Sequence, residues 1–121
     1  MPDDRKNLGQ RGETAAISFL QTQGFTILET NYRTIMAEID IIANDKDCIC
    51  FIEVKTRRSL KKGLPRESVN YSKQKKIILG ASFYLKEKKQ MNSRVRFDVV
   101  EVLEKNGIFD INLIKNAFLA H

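Results

Sequence analysis

The chain has 121 residues, the length of one domain, which leaves little room for a second module. Its 42% apolar and 30% charged residues exclude a disordered chain, and its net charge of +6 is a modest basic excess. No apolar run approaches the roughly 20 residues of a membrane span and no secretory signal is visible, so we expect a cytoplasmic protein with no membrane contact.

The first predicted element is a helix over residues 8–23. Apolar residues recur there at helical spacing, and Gly24 stands where a helix would end. Residues 1–7 are polar and are expected to be a flexible end.

Three strands are predicted next, over residues 25–31, 37–44 and 48–57. Residues 44–47 are turn formers, so the second and third strands are expected to form a hairpin. In the second strand, alternation places Glu38 and Asp40 on one face and Ile39 and Ile41 on the other.

The residue pattern in the second half of the chain predicts a loop, a helix and two strands. Residues 58–70 contain Gly63 and Pro65 among charges and read as a mobile loop. Ser72 is a plausible N-cap of a helix that runs to about Lys89. Strands follow over residues 95–104 and 108–115, joined by a turn that contains Gly107. The order α-β-β-β-α-β-β predicts a single α/β domain over residues 1–121, with a mixed sheet flanked by helices in three layers.

Two features are read as structural. Cys48 and Cys50 point the same way from one strand, and His121 is the only histidine, so buried core thiols are favoured over a zinc site. Asp98 is flanked by core residues and is expected to have a structural role.

The positive charge is concentrated between Lys55 and Lys89, where there are twelve basic residues and two acidic ones. Such a segment can simply be a solvated surface, but an imbalance of this size favours a polyanion partner, first of all nucleic acid. The candidate nucleic-acid contacts are Arg33, Arg57, Arg58, Lys61, Lys62, Lys73 and Lys76.

The candidate active site comprises Asp40, Glu53 and Lys55, which a hairpin would bring to one end of the sheet. Two half-buried carboxylates brought together imply either a metal ion or a compensating Lys, and oxygen ligands favour Mg²⁺ or Mn²⁺ as the metal. Glu13 on the first helix would complete the metal shell, and the main-chain carbonyl of Val54 would add an oxygen. A divalent ion activates water and stabilises charge on phosphate, which is what phosphodiester hydrolysis requires.

Several of these residues also have a purely structural interpretation. The sequence E-x-K is common by chance, and Glu13 could merely be a carboxylate near the start of a helix. Glu38 could bind a second ion or form a salt bridge with a nearby Arg.

The sequence resembles the YraN-type family of bacterial proteins. The matching segments are residues 9–16, 31–33, 37–43, 51–57, 96–100 and 114–118, in this order. Two positions depart from the pattern: Ile39 replaces a Pro, and Ala37 replaces the usual Gly.

The resemblance implies the restriction-endonuclease-like fold, with a PD-(D/E)xK-type site at Glu13, Asp40, Glu53 and Lys55. Its core topology is similar to that of archaeal Holliday-junction resolvases, so the implied activity is metal-dependent cleavage of DNA. Such enzymes act as homodimers, although nothing in this sequence marks a dimer surface. The alternative is a catalytically inactive nucleic-acid-binding module of the same fold, and a protein-interaction adaptor is a more distant one.

Overall fold

The computed structural model describes residues 4–58 and 69–120, with side chains from Asn7 onward. In these residues, two helices and five strands follow one another in the predicted order. Their bounds are α1 Asp4–Thr22, β1 Thr26–Arg33, β2 Glu38–Asp45, β3 Cys48–Arg57, α2 Tyr71–Glu87, β4 Arg94–Lys105 and β5 Ile108–Phe118. The prediction of an α/β domain is confirmed. Within this described part of the chain, no helix is long and apolar enough to cross a membrane.

The five strands of the described chain form one mixed sheet in the order β1-β2-β3-β4-β5. β3 and β4 are parallel, and the other neighbours are antiparallel. Parallel neighbours need a crossover, and α2 lies in the chain between β3 and β4. Lys46 and Asp47 form the turn between β2 and β3, and Asn106 and Gly107 form the one between β4 and β5. Lys46, Asn106 and Gly107 have positive φ, as tight hairpin turns require.

Apolar side chains pack on both faces of the sheet. α1 contributes Ala16 and Leu20 to a buried cluster that contains Ile52 of β3. α2 contributes Ile77 to a second cluster, which contains Phe51 of the same strand. Because Phe51 and Ile52 are consecutive in β3, the two clusters lie on opposite faces, and the helices flank the sheet as predicted.

The two cysteines and Asp98 lie in the structural core. Cys50 is buried and Cys48 half-buried, and both are free thiols. Burial is the largest of the effects that raise the pKa of Cys50 to about 12, so its thiol stays protonated. Asp98 is fully buried and accepts hydrogen bonds from Nε of Arg96 at 2.9 Å and from the main-chain N–H of Asn116 at 3.0 Å. These contacts agree with the structural roles expected for all three residues.

Several boundaries differ from the prediction. α1 begins at Asp4, because nothing between Asp4 and Leu8 breaks a helix, so residues 4–7 belong to it and not to a flexible end. The N-cap of α2 is Asn70 and not Ser72: the Asn70 side chain accepts the N–H of Lys73 at 2.9 Å. Residues 1–3, and residues 59–68 of the predicted mobile loop, lie outside the described residues.

β2 does not alternate regularly around Asp40. Ile39 packs in the α2 cluster and Ile41 in the α1 cluster, so the prediction that they share a face is wrong. The ladder between β2 and β3 ends at the pair Ile41–Ile52, and among the described strands Glu38 and Ile39 pair with β1 alone. Free of β3, the backbone of β2 can turn there. The change of face therefore coincides with the point where β2 and β3 separate.

Candidate active site

Asp40 lies where β2 separates from β3. Its Oδ2 accepts a hydrogen bond from the main-chain N–H of Val54 at 2.8 Å. This carboxylate therefore takes the place of a main-chain acceptor just beyond the last β2–β3 pair, Ile41–Ile52. The hydrogen bond fixes Asp40 against β3 at Val54, the residue between Glu53 and Lys55.

Glu53 is buried between two lysines. Only 5% of the residue is exposed, although it carries a carboxylate. Nζ of Lys73 donates to its Oε1 at 2.9 Å, and Nζ of Lys55 lies 3.6 Å from the same oxygen. Lys55 extends from the same face of β3, and Lys73 comes from the first turn of α2. We call Asp40, Glu53, Lys55 and Lys73 the carboxylate–lysine cluster.

The cluster perturbs its own proton equilibria. Burial, and then repulsion from Glu53, raise the pKa of Asp40 to about 7, against the hydrogen bond from Val54. Burial lowers the pKa of Lys55, and the neighbouring Lys73 lowers it further. Burial alone would also lower the pKa of Lys73, but hydrogen bonds with Lys55 and Glu53 outweigh it and raise the value. Asp40 thus titrates near neutral pH, and Lys55 loses its proton more readily than Lys73.

Glu13 and Glu38 lie beside the cluster. Burial raises the pKa of Glu13, and Glu38 and Glu53 act in the same direction, against a hydrogen bond from Asn31. Asn31 has a φ of 52°, a conformation that asparagine tolerates better than most residues. Glu38 forms an ion pair with Arg33 at 3.2 Å, which is the salt bridge predicted as the structural alternative for this residue.

Two adjoining cavities are lined by carboxylates of this region. One, of about 470 Å³, is lined by Ala37, Glu38, Asp40, Glu53, Asn70, Ser72, Lys73, Lys76 and Ile77. The other, of about 700 Å³, is lined by Gln10, Glu13, Thr14, Ile17, Asn31, Arg33 and Glu38. Glu38 belongs to both. The structure therefore brings Asp40, Glu53 and Lys55 together and leaves Glu13 in the neighbouring cavity, close enough to interact electrostatically.

The side chains are not arranged as a ready metal site. Among the residues that the structure describes, no three His, Cys, Asp or Glu are grouped so that they could hold a metal ion as they stand. Asp40 is directed to Val54 N–H and Glu53 to the two lysines. The donor atoms themselves, buried carboxylate oxygens, are of the kind that Mg²⁺ and Mn²⁺ prefer. Binding would require Glu53 to exchange lysine contacts for metal.

The predicted nucleic-acid contacts are scattered. Lys73 and Lys76 line the first cavity and Arg33 the second. Nε of Arg58 lies 3.0 Å from Glu104, which Arg11 also contacts.

For Arg57, the structure shows a donation from its NH1 to the carbonyl of Thr56 at 3.4 Å. Lys61 and Lys62 lie outside the described residues. Among the described residues, Lys73, Lys76 and Arg33 are thus the predicted contacts that line the cavities of Asp40, Glu53 and Glu13.

Sequence reasoning missed two structural features of this region. It treated Lys73 as a surface phosphate contact, whereas Lys73 neutralises Glu53. It assigned no role to Asn31, whose hydrogen bond opposes the rise in the pKa of Glu13. The positive charge of α2 was visible in the sequence, but which of its lysines would reach β3 depends on how the helix sits on the sheet.

Comparison with known proteins places the chain in a family. The sequence model of the uncharacterised protein family UPF0102 matches residues 12–102, which include every residue of the carboxylate–lysine cluster. A UPF0102 protein of Desulforapulum autotrophicum is 52% identical over 118 residues, or 98% of each chain. UPF0102 proteins of Caldicellulosiruptor saccharolyticus and Desulfosudis oleivorans are each 46% identical, over 95% and 100% of this chain and 99% and 97% of their own. In agreement with the YraN-type resemblance seen in its motifs, the chain belongs to the uncharacterised protein family UPF0102.

Proposed function

We propose that the protein is a metal-dependent nuclease of the restriction-endonuclease-like superfamily that acts on DNA in the manner of Holliday-junction resolvases. The observation that carries the proposal is the convergence of Asp40, Glu53 and Lys55 where β2 and β3 separate. A buried and a half-buried carboxylate next to a lysine of lowered pKa are energetically costly, and such groups concentrate at functional sites.

Asp40 and Glu53 would hold Mg²⁺ or Mn²⁺, with the carbonyl of Val54 and the carboxylate of Glu13 as further oxygens. The bound ion would supply an activated water and stabilise negative charge on the phosphate. Lys55 would position the attacking water or a phosphate oxygen, and its lowered pKa also allows it to accept a proton. The half-buried setting strengthens each of these interactions by excluding bulk water.

The nucleic acid would approach along the rim of the two cavities. Lys73, Lys76 and Arg33 line them and supply positive charge beside the carboxylates. Contacts of this kind bind phosphates without reading sequence, so we expect affinity to fall steeply with salt. Branched DNA is the substrate to test first, because it is what the resolvase resemblance implies.

Cleavage by matched variants tests the proposal. Wild-type protein is incubated with branched, flapped, single-stranded and duplex DNA in Mn²⁺, beside Glu53→Gln and Glu87→Gln. Glu87 ends α2, at the opposite end of the helix from the cavity, so its substitution removes one carboxylate without touching the site. Cleavage by wild type and Glu87→Gln, but not by Glu53→Gln, is expected. Cleavage by all three, or by none in Mg²⁺ or Mn²⁺, would refute an active site built on Glu53.

The alternative is a binding module of the same fold that has lost catalysis. The lysine contacts of Glu53, which balance its charge without a metal, are the observation that favours it. This alternative predicts salt-sensitive DNA binding that survives both Glu53→Gln and chelation of divalent ions. Binding strengthened by Mn²⁺ in wild type and not in Glu53→Gln would instead favour the metal site.

A further inference from the structure

Lys73 occupies a position in the cluster that its place in the sequence did not suggest. Its ammonium group donates to Oε1 of Glu53 at 2.9 Å, which is closer than Lys55 at 3.6 Å. A carboxylate with a 6% exposed side chain requires a positive partner, and Lys73 is the nearer one. The oxygen that would bind a divalent ion is thus already neutralised by a lysine.

The charges of the cluster leave no room for both a divalent ion and two lysines. Asp40 and Glu53 carry at most two negative charges, which Lys55 and Lys73 balance. A divalent ion held by these two carboxylates would add two positive charges within a few ångströms of both ammonium groups. Like charges at such separations repel strongly in a half-buried site, so binding of the ion favours withdrawal of one ammonium group.

The structure indicates which lysine would leave. The Lys55 side chain is 16% exposed and enclosed on β3, whereas that of Lys73 is 38% exposed on the rim of the cavity. Lys73 can swing into solvent from the first turn of α2 without disturbing the sheet. Lys76 lines the same cavity one helical turn further on, so a displaced Lys73 would join it on the wall that the phosphate is proposed to approach.

We infer that Lys73 holds the place of the divalent ion at Glu53 in the metal-free protein and is displaced toward the phosphate-binding wall when the ion binds. The inference rests on the proposed function, since it concerns the same carboxylates. It assigns Lys73 two successive partners, Glu53 without metal and a phosphate with it. Metal binding and nucleic-acid binding are then coupled through one side chain.

Metal affinity tests the competition directly. Binding of Mn²⁺ is measured by calorimetry for wild type, Lys73→Gln and the matched control Lys76→Gln. Both variants lose one positive charge from the same cavity, but only the first removes the contact with Glu53. We expect Lys73→Gln to bind Mn²⁺ about fivefold more tightly, because this is the change in affinity that corresponds to the strongest exposed ion pairs. The affinity of Lys76→Gln should stay within about twofold of wild type.

Displacement is measured in the unmodified protein by NMR of the lysine side chains, with Mg²⁺ as the diamagnetic ion. The Cε and Hε signals of Lys73 are expected to move to the positions of a solvated lysine on addition of Mg²⁺. Those of Lys55 should remain in a perturbed environment.

The outcomes separate the inference from the nuclease proposal. Unchanged or weaker Mn²⁺ binding by Lys73→Gln, or Lys73 signals that do not respond to bound Mg²⁺, would overturn the inference even if wild type cleaves DNA. No metal binding by any of the three proteins would overturn it as well. Tighter binding by Lys73→Gln without cleavage by wild type would support the displacement and refute the nuclease.

Discussion

Replacing Asp40 by Asn is expected to stabilise the protein at alkaline pH. The Asn side chain keeps an oxygen that accepts the Val54 N–H, and its amide can donate to Glu53 as the protonated acid does. Only the charge is lost. Burial and then Glu53 raise the pKa of Asp40 from 3.8 to about 7, so the folded protein favours the uncharged form that Asn imitates.

The magnitude follows from the pKa shift and its sign. A carboxyl group whose pKa is raised on folding contributes stability below its unfolded pKa and loses it as pH rises through the folded pKa. A rise from 3.8 to about 7 corresponds to roughly 4 kcal/mol at about 1.36 kcal/mol per unit. Asp40→Asn should therefore exceed wild type in unfolding free energy by roughly 2 kcal/mol at pH 5 and roughly 4 kcal/mol at pH 8.

Urea unfolding followed by circular dichroism measures both differences, with EDTA present so that no metal stabilises wild type. Equal slopes for the two proteins would show that the unfolded states are comparable. A variant that is no more stable than wild type at pH 8, or that gains equally at both pH values, would refute a half-buried Asp40 whose pKa is raised by burial and by Glu53.

Three further predictions concern other contacts. Burial alone would raise the pKa of Asp45, but Arg96 and other basic neighbours lower it. The unfolding free energy of Asp45→Asn should therefore fall below that of wild type at pH 7 and by less at pH 3. A variant more stable than wild type on urea unfolding at pH 7 would contradict this. A Cβ on Gly12 would collide with the Thr56 side chain, so Gly12→Ala should cost about 1–3 kcal/mol, and an unchanged melting temperature would refute this close approach. Because a metal ion competes with the proton of Asp40, Mn²⁺ affinity should rise with pH up to about 7 and then level off, and calorimetry showing no pH dependence would exclude Asp40 as a ligand.

Local patterns were sufficient to predict the strands that carry the site. β3 runs from Cys48 to Arg57 as predicted, because a β-rich run follows a cluster of turn residues. The hairpin turn at Lys46 and Asp47 then sets the register that brings Asp40 beside the start of the E-x-K segment. Patterns that depend on distant packing could not be predicted. Lys73 is twenty residues beyond Glu53 and reaches it only because α2 packs on the face to which Glu53 points.

Asp40 serves the fold and the proposed site through different properties. The Val54 N–H lies beyond the last pair between β2 and β3, and it is satisfied by the Asp40 carboxylate at 2.8 Å. This hydrogen bond needs an oxygen but no charge, whereas binding a cation needs the charge. Asp40→Ala removes both, so its loss of activity would be uninformative. Loss of Mn²⁺ binding by Asp40→Asn with stability kept or raised assigns the charge to the site, whereas Mn²⁺ binding that survives the substitution assigns Asp40 to the fold.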